Sequence, residues 1–132
     1  MDDKVRKFLE DNHAAVMTTL KKDGTPHVAR VDVGLVNGKL QSSATEDRLR
    51  TKHLKRDPRA TLCVMDGSNQ YRWLGIESTV RIIDGREGVD ANLALYRAIA
   101  GEPDDLDEYL EAMVKERRIV YEFEIERTYG IG

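Results

Sequence analysis

The dipeptide Asn37-Gly38 constrains the fold of this chain more than any other short feature. Asn-Gly supplies the positive φ angles that a two-residue hairpin turn requires, and Asp23-Gly24 is a second signal of the same kind. Each dipeptide stands between two segments that are typical of strands. The two turns therefore predict three consecutive strands, over residues 14–20, 26–36 and 39–43.

Further apolar runs extend the antiparallel pattern. Residues 60–65 and the longer run at residues 70–83 predict strands four and five, and residues 118–126 predict the sixth. Sequential strands with few βαβ units are typical of an α+β fold with an antiparallel barrel rather than a doubly wound sheet. We therefore expect a six-stranded antiparallel barrel with peripheral helices.

Four helices are expected around these strands. Thr45 would cap the second helix, which should stop before Pro58 because the residue before a proline disfavours helical geometry. The 132 residues fit one domain, over residues 1–132. The other three helices are expected after a cap at Asp2 or Asp3, at residues 88–100 and at residues 104–115.

Composition excludes several classes of protein. Hydrophobic residues make up 40% and charged residues 34% of the chain, as in ordinary globular domains, and a net charge of −3 gives no global reason to expect a nucleic-acid or membrane partner. The single cysteine, Cys63, leaves no disulfide within the chain and favours a reducing compartment. Without an apolar signal core or a stretch of ~18 apolar residues, a cytoplasmic protein is expected.

The segment from Ser42 to Lys52 carries the main chemical signal. Ser42 and Ser43 end a predicted strand and precede a helix N-terminus with alternating cations. Backbone N–H groups, the positive end of a helix dipole, hydroxyl donors and guanidinium groups are what a phosphate needs. From Arg48 to Arg59 there are six Lys or Arg residues and one acidic residue. A solvated helix face explains the same pattern equally well.

The order of these motifs resembles a known family. Arg30-Val31, the Asn-Gly hairpin and residues 42–50 are similar to the cofactor-binding segment of pyridoxamine 5′-phosphate oxidase-like split barrels. Residues 51–60 resemble more closely the actinobacterial branch of that family, which uses the deazaflavin coenzyme F-420. The similarity covers nearly the whole chain and includes residues 95–102, 111–114 and 128–130.

The resemblance implies a split barrel that pairs as a homodimer, with two cofactor sites at the interface. Arg48 and Arg50 fall where that branch binds the cofactor phosphate, and Ser43 with Ser42 would lie beside it. The branch often has lysine in place of Arg50, so the charge is kept while the contacts differ. The cations expected to meet the anionic polyglutamate tail of F-420 are Lys52, Lys55 and Arg56.

Tyr71 and Trp73 stand two residues apart on the predicted fifth strand and would share a face. Such an aromatic surface can stack a tricyclic ring or a planar substrate. A pair in the barrel core or at an interface is the alternative, and the resemblance favours a role at the site of the partner subunit. His27 is a candidate proton donor, against the alternative of a surface histidine. No Cys, His and carboxylate cluster indicates a metal, and the catalytic residues stay unassigned.

The resemblance predicts an F-420-dependent reductase that transfers hydride from the reduced deazaflavin to an unsaturated or heteroaromatic small molecule. Hydride transfer is the cofactor's own chemistry, so no acid–base pair is required of the protein. The alternatives are an FMN-dependent oxidase of the same fold, a non-catalytic F-420 carrier, and a nucleotide-phosphate or RNA-binding module. No aromatic residues interleave with the cations of residues 48–59, which argues against an RNA-binding module.

Overall fold

A computed structural model describes residues 1–131 as one antiparallel sheet with four helices. The helices are α1 (Asp3–Asp11), α2 (Leu49–Arg56), α3 (Gly85–Ala100) and α4 (Leu106–Lys115). The strands are β1 (Ala14–Leu20), β2 (Pro26–Asp32), β3 (Gly34–Val36), β4 (Lys39–Thr45), β5 (Arg59–Met65), β6 (Trp73–Ile83) and β7 (Arg118–Gly130). The sheet has the order β2-β1-β5-β6-β7-β4-β3 and curls into a half-barrel. The predicted α+β split-barrel class is confirmed.

Both predicted hairpin turns form as the sequence indicates. Asn37 has φ 51° and Gly38 has φ 78°, the left-handed conformation that these residue types adopt most readily. The turn joins β3 to β4 with Val36 opposite Lys39. Between β1 and β2 only Gly24, with φ 87°, is left-handed, because Asp23 keeps a negative φ and the turn runs from Lys21 to Thr25, whose backbone groups are hydrogen bonded at 2.9 Å. The registers of both hairpins follow from these turns.

The predicted second strand, residues 26–36, is two strands in the structure. β2 pairs with β1 as far as Asp32, whereas β3 pairs with β4 from Gly34 onward. Val33 lies between them, fully buried, and its N–H donates to the carbonyl of His13 at 2.8 Å. The chain changes partner strand at Val33, which is why seven strands replace the predicted six.

The helix expected from Thr45 begins four residues later, at Leu49. Thr45 is the last residue of β4 because it still pairs with Arg118 of β7. Its hydroxyl donates to Asp47 Oδ1 at 2.6 Å and caps no helix. Arg48 occupies the N-cap position without a side-chain hydrogen bond to the helix. The prediction of a Thr45 cap is therefore wrong, because strand pairing extends through that residue.

The prediction of a fifth strand from residue 70 is also wrong at its start. Tyr71 lies in the turn before β6, where its N–H donates to Asn69 Oδ1 at 3.0 Å. β6 begins at Trp73. Because Tyr71 is not on the strand, it does not share a strand face with Trp73, and the alternation argument for an aromatic surface fails.

The helices α3 and α4 are inserted between β6 and β7, which still pair along most of their length. Gly88 lets α3 approach the end of β6, since a Cβ atom there would lie 2.7 Å from the carbonyl oxygen of Ile83. α4 is capped by Asp105, and none of its residues is buried. No helix within residues 1–131 is both long and apolar enough to cross a membrane.

Tyr121 of β7 anchors α2 to the sheet. Its ring is fully buried in the core, and its hydroxyl is hydrogen bonded to the hydroxyl of Thr51 on α2. Thr51 in turn donates to the carbonyl of Thr45 at 2.9 Å. Burial raises the pKa of Tyr121, so the phenol is neutral at physiological pH. These bonds fix the start of α2 relative to the ends of β4 and β7.

We predict that Tyr121→Phe lowers the free energy of unfolding by about 1–2 kcal/mol, because it removes a buried hydrogen bond while keeping the ring. Chemical denaturation measures the change. Tyr71→Phe is the matched control, since the Tyr71 side chain is 93% exposed and should change stability by less than about 0.5 kcal/mol. Equal effects of the two substitutions would contradict the anchoring role.

Candidate functional site

A cationic pocket of about 680 Å³ lies where β4 ends and β7 begins. Its residues come from two segments that are far apart in the chain. One comprises the turn after β4 and the first residues of α2, and the other joins α4 to β7. We term it the cationic pocket. It is lined by Thr45, Asp47, Arg48, Leu49, Arg50, Lys115, Glu116, Arg117 and Arg118.

The pairing of β4 with β7 builds this pocket. Thr45 pairs with Arg118, and the N–H of Glu46 donates to the carbonyl of Arg117 at 3.2 Å. Arg117 has φ 52°, a left-handed conformation that is uncommon for a residue with a long side chain. Strain of this kind persists where the surrounding structure enforces it, and it concentrates at functional sites.

Arg50 provides the clearest indication that the cationic pocket accepts an anion. Its Nε is buried and has no hydrogen-bond partner within residues 1–131. Its guanidinium lies 5.9 Å from the centroid of the Tyr121 ring. Burial lowers the pKa of Arg50, and the positive charges of Arg48 and Arg118 lower it further, yet an arginine stays protonated. A buried, charged donor without an acceptor is costly unless a ligand supplies the acceptor.

Most cations of this pocket have no acidic partner. Glu116 pairs with Arg118 at 3.0 Å. The hydrogen bond from Thr45 lowers the pKa of Asp47, so Asp47 is ionised and is not a proton donor near neutral pH. Within the described residues, no carboxylate forms an ion pair with Arg48, Arg50, Lys115 or Arg117. The excess of positive charge suits a phosphate.

The structure brings the predicted phosphate ligands Arg48 and Arg50 together with three cations that sequence reasoning missed. These are Lys115, Arg117 and Arg118, which lie far from Arg48 in the chain. The run Lys115-Glu116-Arg117-Arg118 was visible as a cluster of charge next to a strand start. Only the strand pairing shows that this run faces the start of α2.

The two predicted serines present no free hydroxyl proton in this protomer. Ser42 is fully buried, and its hydroxyl donates to the carbonyl of Asp32 at 2.7 Å. The Ser43 hydroxyl donates to Oδ1 of Asn92 on α3. Neither serine lines the cationic pocket. Their contact with a phosphate stays a prediction, and here both hydroxyls stabilise the fold instead.

Of the three cations predicted for a polyglutamate tail, two already have partners. Lys55 Nζ lies 3.0 Å from a carboxylate oxygen of Glu46. The guanidinium of Arg56 donates to the carbonyl of Leu20. Lys52 is exposed on α2, and its ammonium group forms no hydrogen bond or ion pair among the described residues. Lys52 is thus the one of the three that is available to a ligand.

Tyr71 and Trp73 lie at the opposite end of the sheet from the cationic pocket. Trp73 is the first residue of β6, and the following residue, Leu74, pairs with Gly130 at the end of β7. The cationic pocket instead adjoins Arg118, the first residue of β7. Thirteen residues of strand span roughly 40 Å when fully extended. Trp73 packs edge to face against Tyr129, with ring centroids 6.0 Å apart. One protomer does not bring these aromatics to the pocket.

His27 belongs to a different cluster. Its ring centroid lies 5.1 Å from that of His53, whose Nδ1 is 3.0 Å from the hydroxyl of Thr19. Burial lowers the pKa of His53, and the neighbouring His27 and Arg56 lower it further. His27 is half-buried and does not line the cationic pocket, and its role as a proton donor stays a prediction. Within residues 1–131, no three His, Cys, Asp or Glu residues form a group that could hold a metal ion.

Proteins of known sequence or structure resemble this chain over almost its whole length. It is 30% identical over 140 residues, 98% of this chain and 88% of the relative, to an F-420H2-dependent biliverdin reductase of Mycobacterium tuberculosis (strain CDC 1551 / Oshkosh). A conserved hypothetical protein from Mycobacterium tuberculosis superposes with a TM-score of 0.80 at 17% identity, covering 97% of this chain and 82% of that one. A protein described as an F-420 reductase superposes with a TM-score of 0.73 at 21% identity, covering 98% of both chains.

The family model of pyridoxamine 5′-phosphate oxidase matches residues 1–132. The match spans all the elements that form the sheet and the cationic pocket. It agrees with the relatives that share the half-barrel fold and with the resemblance in the segment after β4. This chain belongs to the pyridoxamine 5′-phosphate oxidase family.

Proposed function

We propose that this protein is an F-420-dependent reductase that transfers hydride from the reduced deazaflavin to an unsaturated or heteroaromatic small molecule. The observation that carries the proposal is the cationic pocket with the buried, unpartnered Nε of Arg50. The curated relative, an F-420H2-dependent biliverdin reductase, supports the choice of the deazaflavin over other phosphate-bearing ligands.

In this proposal the cofactor phosphate binds between Arg48 and Arg50. Neither guanidinium forms an ion pair with a carboxylate among the described residues, although the ionised Asp47 lies in the same pocket, and each guanidinium can donate N–H groups to phosphate oxygens. The bound deazaflavin supplies the hydride. The protein's part is to hold and orient the cofactor and to neutralise its phosphate.

The proposed site is completed by a second subunit. Trp73 and Tyr71 lie too far along the sheet to reach the pocket of their own protomer, and Tyr71 has 93% of its surface exposed. In the proposed homodimer, Trp73 and Tyr71 of one protomer would lie against the cofactor ring bound by the other protomer. An obligate interface of this type buries on the order of 2,000 Å² or more.

Assays with reduced F-420 test the function. Its oxidation is followed by absorbance against a panel of quinones, tetrapyrroles and enones. Turnover of at least one acceptor supports the reductase. Tight binding of F-420 without turnover of any acceptor supports the carrier, and FMN-dependent oxidation without F-420 binding supports the oxidase.

We predict that the protein is a dimer at micromolar concentration, and light scattering measures its mass. Trp73→Ala should weaken the dimer, because the proposed homodimer places the large Trp73 side chain at the interface. Tyr96→Ala, a partly exposed aromatic on α3, is the control. A monomeric wild-type protein would remove the shared site from the proposal.

We predict that Arg50→Met weakens F-420 binding about tenfold or more, the effect of removing a hydrogen bond to a charged group. The same substitution should not lower the unfolding free energy of the cofactor-free protein, because burial and the neighbouring arginines already disfavour the charge of Arg50. Calorimetry and denaturation measure the two quantities. Arg6→Met, on exposed α1, should change neither, and unchanged F-420 affinity of Arg50→Met would refute the phosphate assignment.

We predict that the protein binds F-420 more tightly than FMN, with an advantage that shrinks as salt screens the tail contacts. Lys52→Ala should reduce this preference and leave FMN affinity nearly unchanged, since FMN ends at the phosphate. Lys55→Ala is the matched control, because Lys55 is already paired with Glu46. Equal affinities for the two cofactors at low salt would favour the FMN oxidase instead.

A further inference from the structure

A second cavity, of about 820 Å³, lies beside the cationic pocket. α3, α4 and the start of β7 enclose it, and Arg117 and Arg118 line both cavities. We term it the helical chamber. Its apolar wall consists of Val89, Leu110, Met113, Val114 and Ile119.

α4 contacts α3 mainly through Tyr109, whose ring lies 5.0 Å from that of Tyr96 and whose hydroxyl donates to the carbonyl of Asn92 at 3.1 Å, and the rest of its apolar side is only partly covered. None of the residues of α4 is buried, although Leu110 and Met113 point to the chamber that they line. Val114 at the edge is 65% exposed. Each Å² of apolar surface that an occupant removes from water stabilises the complex by roughly 25 cal/mol, so an apolar occupant would stabilise this arrangement.

The charged residues around the chamber indicate which polar group its ligand carries. Arg86 and Arg117 have no hydrogen-bonded or ion-paired side-chain partner among residues 1–131. Of the two carboxylates in the lining, Glu46 is paired with Lys55 at 3.0 Å. Asp90 stands four residues from Arg86 on α3 but forms no ion pair with it. Arg118 is paired with Glu116 at 3.0 Å, so Arg86 and Arg117 together face the single carboxylate of Asp90, and one positive charge remains in excess.

We propose that the helical chamber binds a small amphiphile with one anionic head group. The carboxylate or sulfonate would bind Arg86 and Arg117, and the apolar body would pack against Leu110, Met113 and Val89. Leu110 and Met113 are three residues apart and therefore neighbours on one face of α4. Together they offer a continuous apolar surface to an elongated ligand. Arg117 lines both cavities, but Arg86 and most of the apolar wall lie outside the cationic pocket, so the inference rests on Arg86 and that wall and not on which cofactor the cationic pocket binds.

The first test uses the full chain and the fluorescent probe 8-anilinonaphthalene-1-sulfonate, which combines an aromatic body with one sulfonate. We expect saturable fluorescence enhancement. Decanoate should displace the probe at a concentration about tenfold or more below that of decanol, because only decanoate offers an anion to the arginines. No enhancement, or equal displacement by the two compounds, would overturn the proposal.

The second test locates the site. Arg86→Met should weaken both the probe and decanoate about tenfold and leave unchanged the dissociation constant of decanol, calculated with the probe affinity of the variant. Arg97→Met, a cation on the same helix that pairs with Glu102 at 2.8 Å, should change none of the three. Met113→Lys should abolish the fluorescence, with thermal melting by circular dichroism as the check of folding. If Arg86→Met behaves like Arg97→Met, the head-group site is wrong.

The same variants show whether the chamber binds a small molecule or forms an interface with a second copy of the chain. If Met113→Lys converts a dimer to a monomer, and probe fluorescence falls as protein concentration rises, the chamber is a protein interface and the proposal fails. Arg86→Met should retain wild-type affinity for F-420, since Arg86 does not line the cationic pocket. Failure of the chamber proposal would thus leave the proposed reductase intact, and failure of F-420 binding would leave the chamber.

Discussion

The antiparallel pairing of β4 with β7 is the interaction on which the rest of this structure depends. It joins the segment before α2 to the segment after α4, with Thr45 opposite Arg118. Backbone hydrogen bonds fix this register, so the cations of two distant segments converge although they repel one another. The buried Tyr121 on the same strand then holds α2 in place through Thr51. The hydrogen bonds and packing of the fold thus offset the repulsion between the unpaired positive charges of the pocket.

The cationic pocket shows a local conflict between stability and function. Arg50 carries a buried donor without an acceptor, and Arg117 adopts a left-handed backbone conformation. Both features cost free energy in the isolated protomer, and an anion in the pocket would supply the acceptor that Arg50 lacks. Proteins tolerate such conflicts mainly where a ligand resolves them, which is why the pocket, rather than the larger and mostly apolar helical chamber, carries the proposed function.

The sheet and the inserted helices differ in how firmly they are packed. The core lies between the curled sheet and the residues that cover it, and it includes long side chains that are completely buried. α3 is fitted closely through Gly88, whereas α4 buries no residue. α4 is held to α3 by half-buried contacts of Tyr109, which packs on Tyr96 and hydrogen bonds the carbonyl of Asn92. Because tertiary packing of an apolar face supplies most of the stability of short helices, α4 adds less to stability than α3 does.

The sequence by itself determined the local features of this protein. Asn37-Gly38 and Asp23-Gly24 fixed two hairpins, since their backbone conformations depend on neighbouring residues alone, and the segment from Ser42 to Arg50 carried enough chemistry to indicate a phosphate and a family. Only the tertiary structure decided the break at Val33, the late start of α2, and the presence of Arg50 and Arg117 in one pocket. Each of these depends on which strand pairs with which, and strand pairing joins residues that no local sequence pattern connects.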